Sequence, residues 1–149
     1  MKLRKGLKNT TAVELDVLQT QYEYFQQYCE FFIQKCDQFI DSKKHAEMKS
    51  SHFTNLKSTL ENIMFTLDVG RNDKKTTIQI PTVFLDLLCS LAVRWDKLLN
   101  LSLDDYCQKL KTAINGENKR QFTNKAESLR YLIELNKEFI AAIKECNEG

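Results

Sequence analysis

His45 and His52 are the only histidines in the chain, so any metal or acid–base chemistry would fall to them first. They lie seven residues apart. On one helix they would share a face about 10.5 Å apart along the axis, too far to hold one ion together. Glu47 and Met48 do not complete an i, i+4 ligand pair with either. Neither the E-x-x-H pattern of carboxylate di-iron bundles nor the H-E-x-x-H of zinc proteases occurs.

The five cysteines are an odd number with no C-x-x-C pair. Cys29 and Cys36 recur at heptad spacing among apolar residues, and Cys89, Cys107 and Cys146 fall on or beside apolar stripes. Small buried thiols are ordinary core residues. A nucleophilic cysteine would want a base beside it, and neither histidine is close in sequence. Glycines stand only at 6, 70, 116 and 149, which leaves no glycine-rich phosphate loop. The expectation is a non-enzymatic protein with no catalytic residue, no cofactor and no metal.

The basic residues are clustered. If the helices alternate in direction, one end collects Lys43, Lys44, Lys49, Lys119, Arg120 and Lys125, and the other Lys2, Arg4, Lys5, Lys8, Arg71, Lys74 and Lys75. Lys43, Lys44, Lys119, Arg120 and Lys125 are the candidates for contacts to nucleic-acid phosphates. Solvated lysine-rich loops explain the same pattern. Phe122 is the one aromatic interleaved with them, and single-strand binders stack bases on aromatic rings.

The elements that would position these groups read as helices. A chain of 149 residues fits one domain, and four Gly with one Pro leave few tight turns for a sheet protein of this size. A net charge of +2 gives no global signature of a nucleic-acid binder. The basic start, residues 1–10, reads as a flexible segment; no apolar run follows it, so it is not a secretory signal. Asp86 and Arg94 interrupt the longest apolar run, which excludes a membrane span there. Unpatterned cysteines and the lack of a leader point to the cytoplasm.

From Thr11, with Glu14 three residues on as a capping box, a first long helix is predicted. Its seam is Leu15, Leu18, Tyr22, Phe25, Cys29, Phe32, Cys36 and Phe39, in alternating steps of three and four. A second stripe, Val13, Val17, Tyr24, Tyr28 and Phe31, lies about 120° round. A second helix carries Phe53, Leu56, Leu60, Ile63 and Leu67 and stops at Gly70. Residues 78–80 are extended, as the residue before Pro81 must be, but have no obvious partner strand. Pro81 opens a third helix that is apolar nearly all round, with Val83, Phe84, Leu87, Leu88, Leu91, Ala92, Trp95, Leu98 and Leu99. Ser102 and Asp105 form another capping box, so this helix is predicted to kink or restart near Asn100 before ending at Asn115 and Gly116. Residues 117–123 read as a basic loop, and Asn124 with Glu127 as the cap of a last helix that ends near Cys146.

Four such helices fold most simply as an all-α, up-down-up-down four-helix bundle of long antiparallel helices over residues 11–149. The expected function is a protein–protein interaction module, a homodimer or a small subunit or adaptor of a larger assembly. Its interface would be Val17, Tyr24, Tyr28 and Phe31, because the chain carries more apolar surface than one bundle needs. The alternative is a nucleic-acid-binding accessory protein that uses basic loops at a bundle end. A third, weaker expectation is a small apolar ligand held between helices near Trp95.

Overall fold

A computed structural model describes residues 1–5, 11–41 and 50–148 of the chain. The order of elements is β1 (Lys2–Lys5), β2 (Ala12–Leu18), α1 (Tyr22–Asp41), α2 (Ser50–Val69), β3 (Lys75–Pro81), α3 (Leu85–Thr112) and α4 (Gly116–Glu148). The protein is therefore mostly helical with four helices, and it adds a three-stranded antiparallel sheet in the order β1-β2-β3. That sheet corrects the all-α expectation at two places. Lys2–Lys5, expected to be part of a loose segment, is a strand. The stretch after Thr11, expected to open the first helix, is β2.

The physical reason lies in the period of the side chains. Val13, Leu15 and Val17 alternate with Glu14 and Asp16, and a period of two suits a half-buried strand. The three apolar residues are buried and the two acids face outward. Opposite them, Val13 pairs with Ile80, Leu15 with Ile78 and Val17 with Thr76, so the inner face is apolar on both strands except at Thr76. Residues 78–80 thus find their partner in the segment assigned to a helix. On the outer face Arg4 lies opposite Glu14 and reaches diagonally to Asp16, which also accepts the Thr77 hydroxyl at 2.8 Å. Oppositely charged cross-strand neighbours of this kind hold a short edge strand in register.

Gln21 makes the step from β2 into α1. Its side-chain carbonyl accepts the Leu18 N–H at 3.1 Å, and its amide donates to Glu138 of α4 at 3.5 Å. From Tyr22 the three–four seam holds as predicted, with Phe25, Cys29, Phe32 and Cys36 buried. The α1 helix packs along α2, where Lys57 and Asp37 pair at 2.6 Å. The α2 helix stops before Gly70, as expected. Glycine stands there because of a close approach rather than a left-handed turn, since no glycine among the described residues has a positive φ. A Cβ at Gly70 would overlap the Thr76 side chain, whose hydroxyl donates to the Gly70 carbonyl at 3.1 Å.

The α3 helix runs unbroken through Asn100. The Asn100 amide donates to the Asp96 carbonyl at 2.8 Å, one turn back, so a residue that could end the helix bonds along it instead. The reversal comes at residues 113–115. Asn115 accepts the Glu117 N–H at 2.8 Å through its side chain and so caps α4, two turns before the predicted start at Asn124. Residues 117–123 are accordingly helix, not loop.

One apolar core joins the inner sheet face to all four helices. Its centre is aromatic. Tyr24, Tyr28, Phe32 and Phe31 surround Trp95 with ring centroids 5.6–6.4 Å away, and Phe139 of α4 packs edge-on against Phe25 at 5.3 Å and against Tyr28 at 5.6 Å. Edge-to-face and tilted pairs are the arrangements that ring quadrupoles favour.

Candidate functional site

The residues expected to form a partner surface are largely core. Val17, Tyr24 and Tyr28 are at most 2% exposed within the single chain. Phe31 is half-buried, stacked on Trp95 at 6.2 Å with the Lys35 ammonium 5.4 Å from its ring. The helical part of the second stripe packs on Trp95 of α3 through Tyr24, Tyr28 and Phe31 and on Phe139 of α4 through Tyr24 and Tyr28, while Val13 and Val17 belong to β2. The surplus of apolar side chain is absorbed by a sheet that adds its own inner face to the core. Trp95 is 5% exposed and surrounded by those rings, so the space expected to hold an apolar ligand is filled by Tyr24, Tyr28, Phe31 and Phe32.

The two tyrosines do polar work in the interior. The Tyr24 hydroxyl donates to the Asn136 side-chain carbonyl at 2.6 Å, and the Asn136 amide donates to the Ala92 carbonyl at 2.8 Å. The Tyr28 hydroxyl donates to the Leu88 carbonyl at 2.8 Å. Burial holds both phenols well above their ordinary range, so neither is a base at neutral pH. Burial also pushes the Cys29 thiol up to about 12 and raises Cys36, which leaves both as unreactive core residues. His45 lies outside the described residues, as does the side chain of His52. Among the described residues no three His, Cys, Asp or Glu side chains gather as metal ligands, and no helix is long and apolar enough to cross a membrane.

What the molecule does expose is the far half of the α3–α4 hairpin. At about 1.5 Å per residue, α3 and α4 are roughly 42 and 50 Å long, against about 30 Å for α1 and α2. The last buried residue of α3 is Leu99 and the first of α4 is Ala126. Between them lies a two-helix arm in which no side chain is fully buried. Leu101 is 65% exposed, and Ile114, at the reversal, is 96% exposed. Leu103, Tyr106, Cys107, Leu110 and Phe122 are partly covered, none of them fully. Two helices alone cannot enclose a side chain, so an arm of this composition leaves apolar surface in water. A second patch stands on α2, where Phe65 and Val69, one turn apart, are 70% and 72% exposed, and Val83 before α3 is 79% exposed.

The arm is also basic. Residues 100–130 contain Lys109, Lys111, Lys119, Arg120, Lys125 and Arg130 against Asp104, Asp105, Glu117 and Glu127. Lys119, Arg120 and Lys125 are exposed on the first turns of α4, whereas Lys43 and Lys44 lie outside the described residues. Phe122, the lone interleaved aromatic of the sequence, has a partner across the hairpin. The Tyr106 ring of α3 lies 6.1 Å from it, tilted by 44°. The Lys109 ammonium sits 5.0 Å from the Tyr106 ring and 6.0 Å from the Phe122 ring, and pairs with Asp105 at 3.1 Å. Sixteen residues separate the two rings in the chain, so only the length and phase of α3 and α4 could have revealed the pair. Next to it is a cleft of about 590 Å³ lined by Tyr106, Gln121, Phe122, Asn124, Lys125 and Ser128. Compared with known protein families, curated proteins and solved structures, the chain matches none.

Proposed function

We propose that this protein is a non-enzymatic helical interaction module, a homodimer or a small subunit or adaptor of a larger assembly, which docks through the distal α3–α4 arm. The observation that carries this reading is the arm itself: two helices outrun the core and hold Leu101 and Ile114 in solvent. A free monomer gains nothing by extending them. A partner that covers them removes apolar area from water at roughly 25 cal/mol per Å², before the costs of association. A cytoplasmic setting belongs to the same proposal, since all five cysteines are free thiols.

Light scattering on the purified chain at tens of micromolar tests the homodimer. The expected mass is twice 17.4 kDa, and Leu101→Glu with Ile114→Glu returns it to one chain. Both positions are exposed, so the pair leaves the fold intact. A strict monomer, indifferent to the pair, removes self-association. The subunit version then stands only if the same pair abolishes co-purification of a partner from the native host.

A second reading, a nucleic-acid accessory protein, is favoured by one observation. Lys119, Arg120 and Lys125 share the arm with a basic excess, although on a helix rather than on the loop expected from sequence. Retention of single- or double-stranded nucleic acid at about 50 mM salt, falling steeply as salt rises, is its signature. No retention under those conditions sinks it.

A further inference from the structure

We propose that the cleft between α3 and α4 binds a nucleotide unit, its base stacked against Phe122 and Tyr106 and its phosphate held by Lys125 and the neighbouring basic side chains of the arm. This inference deepens the second reading above and rests on it.

Three features meet in the cleft. The first is size: about 590 Å³ is within the range of small-ligand sites and admits a base with its sugar. The second is a pair of partly exposed rings. Tyr106 and Phe122 are tilted by 44° and both line the cleft, and the Lys109 ammonium lies over each ring on one side, so a base would stack on the remaining ring surface. Every base offers a π-face to such a surface, which is why aromatic platforms bind single strands with little regard to sequence. The third is the polar edge. Gln121, Asn124 and Ser128 carry amides and a hydroxyl that suit base and sugar edges, and Lys125 supplies a compact charge for phosphate.

The acidic groups nearby do not cancel this charge. Asp105 is engaged with Lys109, Glu117 lies one turn before Gln121, Glu127 adjoins Ser128 on α4 and Asp104 lies on α3. Over residues 100–130 the basic side chains outnumber the acidic by two. An acidic peptide would meet the same lysines but would leave both rings and the amides without a role. A base inside a duplex is stacked on its neighbours and cannot reach the rings, so a single strand or a free nucleotide is the source that fits.

Fluorescence anisotropy with a labelled thymidine 12-mer is the direct test. Binding is expected at about 50 mM salt. If about three phosphates are engaged, affinity falls about twentyfold by 200 mM. Phe122→Ala weakens binding about tenfold, Phe122→Tyr stays within about twofold, and Lys125→Gln lowers the salt slope by about 0.7. An abasic 12-mer of the same charge binds about tenfold more weakly than the thymidine strand, which probes stacking without altering the protein. Displacement by AMP at comparable concentration assigns the cleft to a mononucleotide, and failure of AMP to displace assigns it to a strand.

Equal binding of the abasic and thymidine strands overturns the inference while leaving a salt-dependent accessory role in place. Binding of polyglutamate as tight as that of the 12-mer overturns it as well. Loss of all retention at 50 mM salt overturns both the inference and the reading beneath it.

Discussion

Tyr24 and Asn136 show how a single polar contact can specify a core. Asn136 is fully buried, and its two hydrogen bonds run to the Tyr24 hydroxyl on α1 and to the Ala92 carbonyl on α3. It therefore fixes the relative register of three helices. Tyr24→Phe keeps the ring packing and strips the donor from a buried carbonyl, which should cost about 1–3 kcal/mol in urea unfolding. Tyr24→Phe combined with Asn136→Leu removes both partners and should cost less than the sum of the two single changes; strict additivity would show that the pair is not coupled. The thiols give a second measurement at this scale. With Cys29 pushed up to about 12 and Cys36 buried, a disulfide reagent at pH 8 should first label Cys89, Cys107 and Cys146, which are partly exposed. Labelling of Cys29 in the native protein would place it outside the core. The sequence made both cysteines legible as core, because their heptad spacing continues the seam of Phe25 and Phe32. It did not reveal that Tyr24 and Tyr28 share that core, because a stripe 120° from a seam reads equally well as surface until a third and fourth helix are placed against it.

At the scale of elements, where strands and helices form is decided by competition between local signals. Thr11 with Glu14 offers a capping box and Leu15 with Leu18 a helical step, while Val13, Leu15 and Val17 offer a strand. The strand wins because Ile78 and Ile80 supply a complementary face, a pairing that no local window contains. Gly70 punctuates as expected, whereas Pro81, expected to open the third helix, closes β3 and leaves α3 to begin at Leu85. Gly70 acts through a close approach, and Gly70→Ala should destabilise by about 1–3 kcal/mol, with Thr76→Ala in the same chain recovering part of the loss. The sheet also carries a pH dependence. The hydrogen bond from Arg4 holds the Asp16 carboxyl below its ordinary value of 3.8. A lowered folded pKa contributes stability that is complete above the unfolded value and is lost as pH falls through the folded one. Melting temperature should therefore drop more between pH 5 and pH 2 in the parent than in Asp16→Asn, and equal acid sensitivity in the two would show that the pair does not report on folding.

For the whole molecule, the decisive asymmetry is between a core that spans sheet and helices and an arm built from two helices alone. The stability of a backbone amide follows the apolar burial around it, and local opening begins where burial is thin. Amides of α3 before Leu99 and of α4 after Ala126 lie over the aromatic centre, with Leu88, Trp95, Ile133 and Phe139 buried beneath them. Amides within residues 100–125 have no fully buried side chain beneath them. Hydrogen exchange should thus divide each helix in two: the core halves exchange only through global unfolding, and the arm halves exchange orders of magnitude faster by local fraying. Whatever covers the arm must reverse this. Docking of a second copy should slow exchange around Leu101 and Ile114, whereas occupation of the cleft should slow it around Tyr106 and from Gln121 to Ser128. The cleft lies between Leu101 and Ile114 along the hairpin, so the cause of the slowing separates the two roles: docking of a second copy slows exchange with rising protein concentration, and the nucleotide site slows it only when the thymidine 12-mer is added. Uniform protection along α3 and α4 in the isolated chain would mean that the hairpin is as stable at its tip as at its base, and the premise that the arm needs a partner would fail.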